Sequence, residues 1–190
     1  MSWPVELSGA TESVVTTLGP NGKWNVAALG LFEGDPVRAR TWGRTRTWRN
    51  FSERGTGYVQ FTRDPVDFVE AACSIREEPD PILESADAWV RVSVEEAGSG
   101  SDGDTEWTDW HLHPEEHEVR REVVPTTNRA YFAIVEATVA ASRLGVAGFD
   151  DAELRERIRY FESVVDSCAG ARERDAWERF EALVDWHGDG

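Results

Sequence analysis

Over the first two thirds of the chain, apolar and polar positions alternate as they do in strands with one buried face. The β-branched segment 11–18 ends at the turn residues 19–22, and the apolar segment 23–31 follows. These two segments are therefore predicted to pair as a hairpin. The Gly-, Ser- and Asp-rich residues 97–104 are predicted to form a solvated hairpin loop. Further strands are predicted at 37–42, 55–61, 88–95, 106–112 and 118–124.

Two short helices interrupt this strand pattern. The first is predicted at about 45–54, where Thr45 or Thr47 can accept a hydrogen bond from the first turn as its N-cap. The second is predicted to begin after Asp64, which would cap it, with Pro65 in the first helical position, where a missing N–H costs nothing.

The last third of the chain has the apolar spacing of helices. Thr126 is predicted to cap the first of three helices and Asp150 the second. Strands followed by helices indicate an α+β fold, here an antiparallel barrel or sheet with a helical C-terminal region. We expect the sheet within residues 8–125 and the helical region, packed on it, within residues 126–187.

The charge of the chain limits the partners that it can have. Its 190 residues include 36 acids and 20 bases, for a formal net charge of -16, and Lys23 is the single lysine. Such an excess of acid repels nucleic acid and anionic membranes, so neither is an expected partner. An acidic, lysine-poor composition resembles that of proteins from salt-loving archaea, where salt screens self-repulsion. A hydrophobic fraction of 40% argues against a disordered acidic protein.

The expected location is the cytoplasm. No apolar segment has the character of a signal peptide or the length of a membrane span. Cys73 and Cys168 are two isolated cysteines without metal-ligand or redox-motif spacing, which suits a reducing compartment.

The strongest candidate for chemistry is the segment Thr41–Phe51, which combines arginines, threonines and two tryptophans. A helix start presents unpaired backbone N–H groups and the positive end of the helix dipole, and here Arg44 and Arg46 add full positive charges. Phosphate is the ligand that such a site would favour. The alternative interpretation is an ordinary capped helix with solvated arginines.

Other chemistries have weaker support. His111, His113 and His117 lie close together, as zinc ligands can, but Pro114 and the neighbouring glutamates are more typical of a polar strand end. No metal site is therefore expected. The chain contains no nucleophile elbow, no dinucleotide-binding glycine motif and no P-loop lysine.

Several short segments, in this order, resemble an archaeal family of unknown function within the FMN-binding split-barrel superfamily, over about residues 8–185. In the first half, these segments are Val14-Val15-Thr16-Thr17, Asn21-Gly22, Asn25 to Gly30, and Thr45-x-Thr47-Trp48-x-Asn50-Phe51. In the second half, they are Asn128-Arg129-Ala130, Ile134 to Ala137 and Ser142-Arg143-Leu144.

The resemblance implies a split β-barrel that binds FMN, in a homodimer with the cofactor at the subunit interface. The resemblance also implies which residues bind the cofactor. Arg46, Thr47 and Asn50 would hold the FMN phosphate, and Thr16, Thr17, Asn25 and Ala27 would add backbone or hydroxyl contacts. Arg129 would approach the flavin or the interface from the partner subunit. Trp48 or Trp42 would lie beside the isoalloxazine, or alternatively would belong to the barrel or dimer core.

The function expected from this resemblance is that of a flavoprotein, an oxidoreductase whose substrate, electron donor and acceptor the sequence does not identify. In such proteins the flavin carries the electrons, so the absence of a catalytic triad does not count against the assignment. The alternatives are a non-catalytic flavin-binding or interaction protein, whose helical third serves a partner, and a barrel that has lost its ligand.

Overall fold

A computed structural model describes residues 2–188 of the chain. The chain divides into two compact units. One comprises the residues up to Arg63 together with Ile75–Val123, and the other comprises Asp64–Ser74 and the chain from Val124 onward. We call them the barrel unit and the helical unit. The helix that follows Asp64 belongs to the helical unit, although the strands on both sides of it in sequence belong to the barrel.

The barrel unit is built from antiparallel strands and one short helix. The strands are β1 (Ala10–Leu18), β2 (Trp24–Phe32), β3 (Val37–Trp42), β4 (Thr56–Thr62), β5 (Arg76–Glu78), β6 (Ala86–Asp102) and β7 (Thr105–Val119), and the helix is α1 (Arg46–Arg54). The strand order is β1-β4-β6-β7-β3-β2-β5, and pairing of β1 with β2 closes six of the strands into a barrel. Closure leaves few sheet edges exposed.

The barrel is split along one edge of β2. Over its whole length β2 pairs with β1 on the opposite edge. On the split edge, Trp24–Val26 pair with β5 and Leu31–Phe32 pair with β3. Residues 27–30, which lie within the described part of the chain, pair with neither strand on this edge. One backbone group of this stretch has a side-chain partner, because the carbonyl of Leu29 accepts from the Ser13 hydroxyl at 2.6 Å.

The barrel interior is filled by one face of each strand. Val15, Leu31 and Val90 are fully buried, as the period-two alternation requires. Helix α1 contributes Phe51, whose ring meets that of Trp110 edge-on with 5.4 Å between the ring centroids. Burial of this apolar face of α1 holds the helix against the barrel.

The helical unit packs four helices around its own core: α2 (Pro65–Cys73), α3 (Arg129–Ala141), α4 (Asp151–Cys168) and α5 (Ala171–Leu183). Ile134, Ile158 and Phe180 are fully buried within it. Within the described residues, no helix combines the length and the apolar character that crossing a membrane requires.

The α+β fold with an antiparallel barrel and C-terminal helices is confirmed. Three of the local cap predictions are also confirmed, because Thr45, Asp64 and Asp150 each accept hydrogen bonds from backbone N–H groups in the first turn of their helix. The predicted Thr126 cap is wrong. Asn128 caps α3 instead, and accepts a hydrogen bond from the N–H of Ala130 at 2.9 Å.

Two further predictions need correction. Residues 97–104 are mostly exposed and form part of a hairpin, as predicted, but the loop is far shorter than predicted, because β6 and β7 continue as a paired ribbon to a turn at Gly103 and Asp104. The small residue Gly100 permits this, since a Cβ there would lie 2.6 Å from the Trp107 indole. The predicted strand 118–124 is absent, because β7 ends at Val119 and residues 120–128 have no regular structure. The short strand β5 was not predicted.

Candidate functional site

The candidate site surrounds the start of α1. Gly43, with a φ of 67°, turns the chain from β3 towards the helix. The N–H of Trp48 donates to the side chain of Thr45 at 3.2 Å. Because a helix leaves its first N–H groups without intrahelical acceptors, those of Arg46 and Thr47 stand at the positive end of the helix dipole.

The local charge of this segment opposes that of the whole protein. Residues 40–54 contain five arginines and one acid, Glu53, and the first turn of α1 contains no acid. Three of these arginines pair in the fold with carboxylates from other strands: Arg40 with Asp109, Arg44 with Glu106 and Arg46 with Glu77.

Arg46 is already engaged with a carboxylate. Its guanidinium donates to Glu77 Oε1 at 2.7 Å, and Asn21 Nδ2 donates to Glu77 Oε2 at 3.1 Å. The side chains of Arg46 and Glu77 are 42% and 26% exposed. Glu77 is placed there by strand pairing, because β5 lies antiparallel to the start of β2 with Glu77 opposite Asn25.

Four of the predicted site residues form buried polar contacts between α1 and the β1–β2 hairpin. Asn25 Nδ2 donates to Thr47 Oγ1 at 3.4 Å, and Asn50 Nδ2 donates to Thr17 Oγ1 at 2.9 Å. All four side chains are buried, and Thr17 and Asn25 face each other across the hairpin. Arg49 supports the cluster by donating to Asn50 Oδ1 at 3.3 and 3.4 Å.

Thr16 belongs to a different cluster, because alternate residues of β1 point to opposite faces. Its hydroxyl donates to the carbonyl of Pro81 at 2.6 Å and accepts from Gln60 Nε2 at 3.2 Å. Gln60 is fully buried and also accepts from the N–H of Leu83 at 2.7 Å. Ala27, by contrast, is partly buried and is the first residue of the unpaired stretch on the split edge of β2.

Trp48 contacts strand β7 rather than the β1–β2 hairpin. Its Nε1 donates to Thr108 Oγ1 at 3.1 Å, and the Arg44 guanidinium lies 5.5 Å from the ring centroid. Arg44 is also paired with Glu106 at 3.2 Å. Between the helix start and the β6–β7 ribbon lies a cleft of about 340 Å³. It is lined by Gly43, Arg44, Trp48, Ser99, Gly100, Ser101, Glu106 and Thr108.

The structure thus brings Thr17, Asn25, Thr47 and Asn50 into contact between α1 and the β1–β2 hairpin, and places the other predicted residues in different environments. Arg46 and Trp48 are accessible, whereas Thr16, Thr17 and Asn50 are fully buried. Arg129 is the first residue of α3 in the helical unit and is exposed. Their assignment to FMN remains a prediction.

Sequence reasoning missed three residues whose side chains form hydrogen bonds with this set: Glu77, Gln60 and Thr108. No local signal identifies them. Each contacts a residue at least 31 positions away along the chain, as Glu77 does with Arg46.

The histidine segment forms an electrostatic contact. His111 Nδ1 and His113 Nε2 lie 3.4 and 3.3 Å from Glu95 Oε1. Hydrogen bonds from His113 and then His111 hold the pKa of Glu95 below its usual value. Within residues 2–188, no group of three or more His, Cys, Asp or Glu side chains is arranged to hold a metal ion.

This protein is of the α+β class: a split antiparallel barrel with a helical C-terminal region. Residues 11–121 match the N-terminal domain, and residues 128–182 the remainder, of a family described as protein of unknown function DUF447. The chain belongs to the DUF447 family, which agrees with the resemblance noted in the sequence. No curated protein matches the chain.

Comparison with solved structures gives one match over nearly the entire chain and a weaker one over part of it. The FMN-bound DUF447 protein MM1853 from Methanosarcina mazei matches with a TM-score of 0.78 and 24% identity, over 94% of this chain and 96% of that one. The styrene monooxygenase flavin reductase from Pseudomonas putida S12 matches with a TM-score of 0.43 and 16% identity, over 61% of this chain and 83% of that one. The first match establishes the fold over nearly the entire chain.

Proposed function

We propose that this protein binds FMN, with the cofactor phosphate at the start of α1. The observation that carries the proposal is the shared fold, over 94% of the chain, with a member of the same family whose structure contains FMN. The start of α1 also supports it, because its first turn contains no acidic residue and its Arg46 guanidinium already holds an anionic group, the Glu77 carboxylate.

The donors at this position fit the phosphate of FMN. The Arg46 guanidinium can form charge-assisted hydrogen bonds with phosphate oxygens, and the N–H groups of Arg46 and Thr47 add the donors of a helix start. The unpaired stretch of β2 that begins at Ala27 offers further backbone groups. Trp48 provides an aromatic surface beside the same helix start.

The buried members of the set have a positioning role in this proposal. Thr17, Asn25 and Asn50 join α1 to the β1–β2 hairpin, and so orient the helix start that the phosphate meets. Thr16 fixes the loop at Pro81 against β1. Arg129 reaches the cofactor from the second subunit of a homodimer. Light scattering tests the dimer, because its mass would be twice the 21.3 kDa of one chain.

Bound FMN would supply hydride and single-electron transfer, so the function that we propose is that of an oxidoreductase. Expression with ample FMN, followed by purification in concentrated salt, should yield protein with a bound-flavin spectrum. A protein that copurifies with no flavin and binds none when FMN is added would contradict the proposal. Oxidation of reduced nicotinamide with a panel of acceptors then tests catalysis. Retained flavin without turnover would identify a non-catalytic flavin-binding protein.

We also propose that the protein is of the haloarchaeal type and works in a salt-rich cytoplasm. Its acid excess and its two free cysteines support this placement. Lowering KCl from molar to tenths of molar should lower the midpoint of thermal unfolding, because self-repulsion is then less screened. An unchanged midpoint across that range would contradict salt adaptation.

A further inference from the structure

We propose that Glu77 is an internal competitor of the FMN phosphate: its carboxylate holds the Arg46 guanidinium and must be displaced when phosphate binds there. This inference rests on the proposed function, because it concerns the same helix start. Glu77 would therefore set the affinity of the site for phosphorylated flavin. Glu77 would then make the affinity for FMN lower than the donors of α1 alone would allow.

The contact geometry supports competition. A carboxylate oxygen 2.7 Å from an arginine nitrogen makes a charge-assisted hydrogen bond of the kind that a phosphate oxygen would make. The carboxylate is also held in place, since its other oxygen accepts from Asn21 and β5 is fixed by pairing with β2. A phosphate beside Arg46 would meet this fixed negative charge. Like charges at contact distance repel, so Glu77 must move away when the phosphate binds, and this displacement weakens FMN binding.

A different role for Glu77 predicts the opposite result. If Glu77 only orients Arg46 for the phosphate, removing its charge would leave the guanidinium mobile and would weaken binding. The sign of the effect of Glu77→Gln therefore separates the two roles. Glutamine keeps the size of the side chain and its ability to accept from Asn21.

The chain provides a matched control in Glu78. It is the next residue of β5, has a similar exposure of 31%, and pairs with Arg76 at 2.7 Å. Glu78→Gln thus removes the same charge one position away, from a carboxylate that binds a different arginine. If the loss of one negative charge near the site were enough to strengthen FMN binding, both variants would show it. Only Glu77→Gln frees the Arg46 guanidinium from its carboxylate partner.

The experiment measures dissociation constants for FMN and riboflavin by titration calorimetry at one fixed, high KCl concentration. The proteins are the wild type, Glu77→Gln, Glu78→Gln, Arg46→Ala and the double variant Arg46→Ala/Glu77→Gln. We expect Glu77→Gln to bind FMN more tightly by roughly tenfold, corresponding to about 1.4 kcal/mol. Riboflavin, which lacks the phosphate, should bind the wild type and Glu77→Gln with the same affinity.

Two comparisons test the mechanism. The gain from Glu77→Gln should disappear in the Arg46→Ala background, and Glu78→Gln should resemble the wild type. Equal or weaker FMN binding by Glu77→Gln, or an equal gain in Glu78→Gln, would overturn the competitor role while leaving FMN binding itself intact. If neither the wild type nor Glu77→Gln binds FMN, the proposed function and this inference both fail. Circular dichroism verifies that each variant is folded.

Discussion

Replacing Asn50 by alanine tests whether the buried polar contacts hold α1 on the barrel. The Asn50 side chain is fully buried, donates to Thr17 Oγ1 at 2.9 Å and accepts from Arg49. A buried polar group left without its partner costs about 1–3 kcal/mol. Arg49 is partly exposed, so its guanidinium can bond to water when Asn50 is absent. We therefore assign the loss of stability mainly to the unpaired Thr17 hydroxyl and to the small cavity that the Asn50 side chain leaves. We expect Asn50→Ala to lower the free energy of unfolding by about 2–3 kcal/mol.

Urea denaturation followed by tryptophan fluorescence, at constant salt, measures this loss. Ser52→Ala is the matched control in the same helix, because the Ser52 hydroxyl is exposed and donates only to the carbonyl of Trp48. Ser52→Ala should change the free energy of unfolding by no more than about 0.5 kcal/mol. If Asn50→Ala loses no more than Ser52→Ala, the buried contact does not stabilise α1, and the positioning role proposed for Asn50 is wrong.

Three further predictions follow from individual contacts. Hydrogen bonding from Arg40 holds the pKa of Asp109 below its usual value. The pair therefore contributes its full stability above the carboxyl pKa of the unfolded chain, and this contribution is lost as the pH falls through the pKa of the folded protein. Because both side chains are partly exposed, Asp109→Asn should cost less than about 1 kcal/mol at neutral pH and nothing in strong acid, as measured by urea unfolding at several pH values. Burial raises the pKa of the Cys73 thiol to about 11. In the variant Cys168→Ser, iodoacetamide should therefore alkylate Cys73 far more slowly than it alkylates free cysteine at mildly alkaline pH. Equal alkylation rates, measured by mass spectrometry, would refute this. Gly55 ends α1 with a φ of 64°, so Gly55→Ala should lower the unfolding free energy by about 1 kcal/mol, and an unchanged urea midpoint would contradict that strain.

Much of the fold could be predicted from the sequence because its signals are local. Thr45, Asp64 and Asp150 each precede a helix and accept its first N–H groups, which requires no knowledge of the rest of the chain. The β6–β7 ribbon could not be predicted in the same way. Its Gly- and Ser-rich residues favour a loop locally, and they form a strand only because Trp107 and its neighbours in β7 pair with them.

The candidate site shows the same division between local and long-range information. Charge and position near a helix start, both visible in the sequence, indicate Arg44 and Arg46 as candidates, and the family resemblance singles out Arg46 as a phosphate ligand. The burial of Asn50 and Thr17 depends on how α1 packs on the hairpin, and the approach of Glu77 depends on the register of β5 against β2. These contacts join residues 33 and 31 positions apart, so no local pattern could have revealed them.

The most direct test of the central claim is a crystal structure of this protein with FMN. We expect the FMN phosphate within hydrogen-bond distance of the Arg46 guanidinium and of the N–H groups that begin α1, with the Glu77 carboxylate moved away from Arg46. A flavin phosphate bound elsewhere, with the contact between Arg46 and Glu77 still intact at 2.7 Å, would contradict the account.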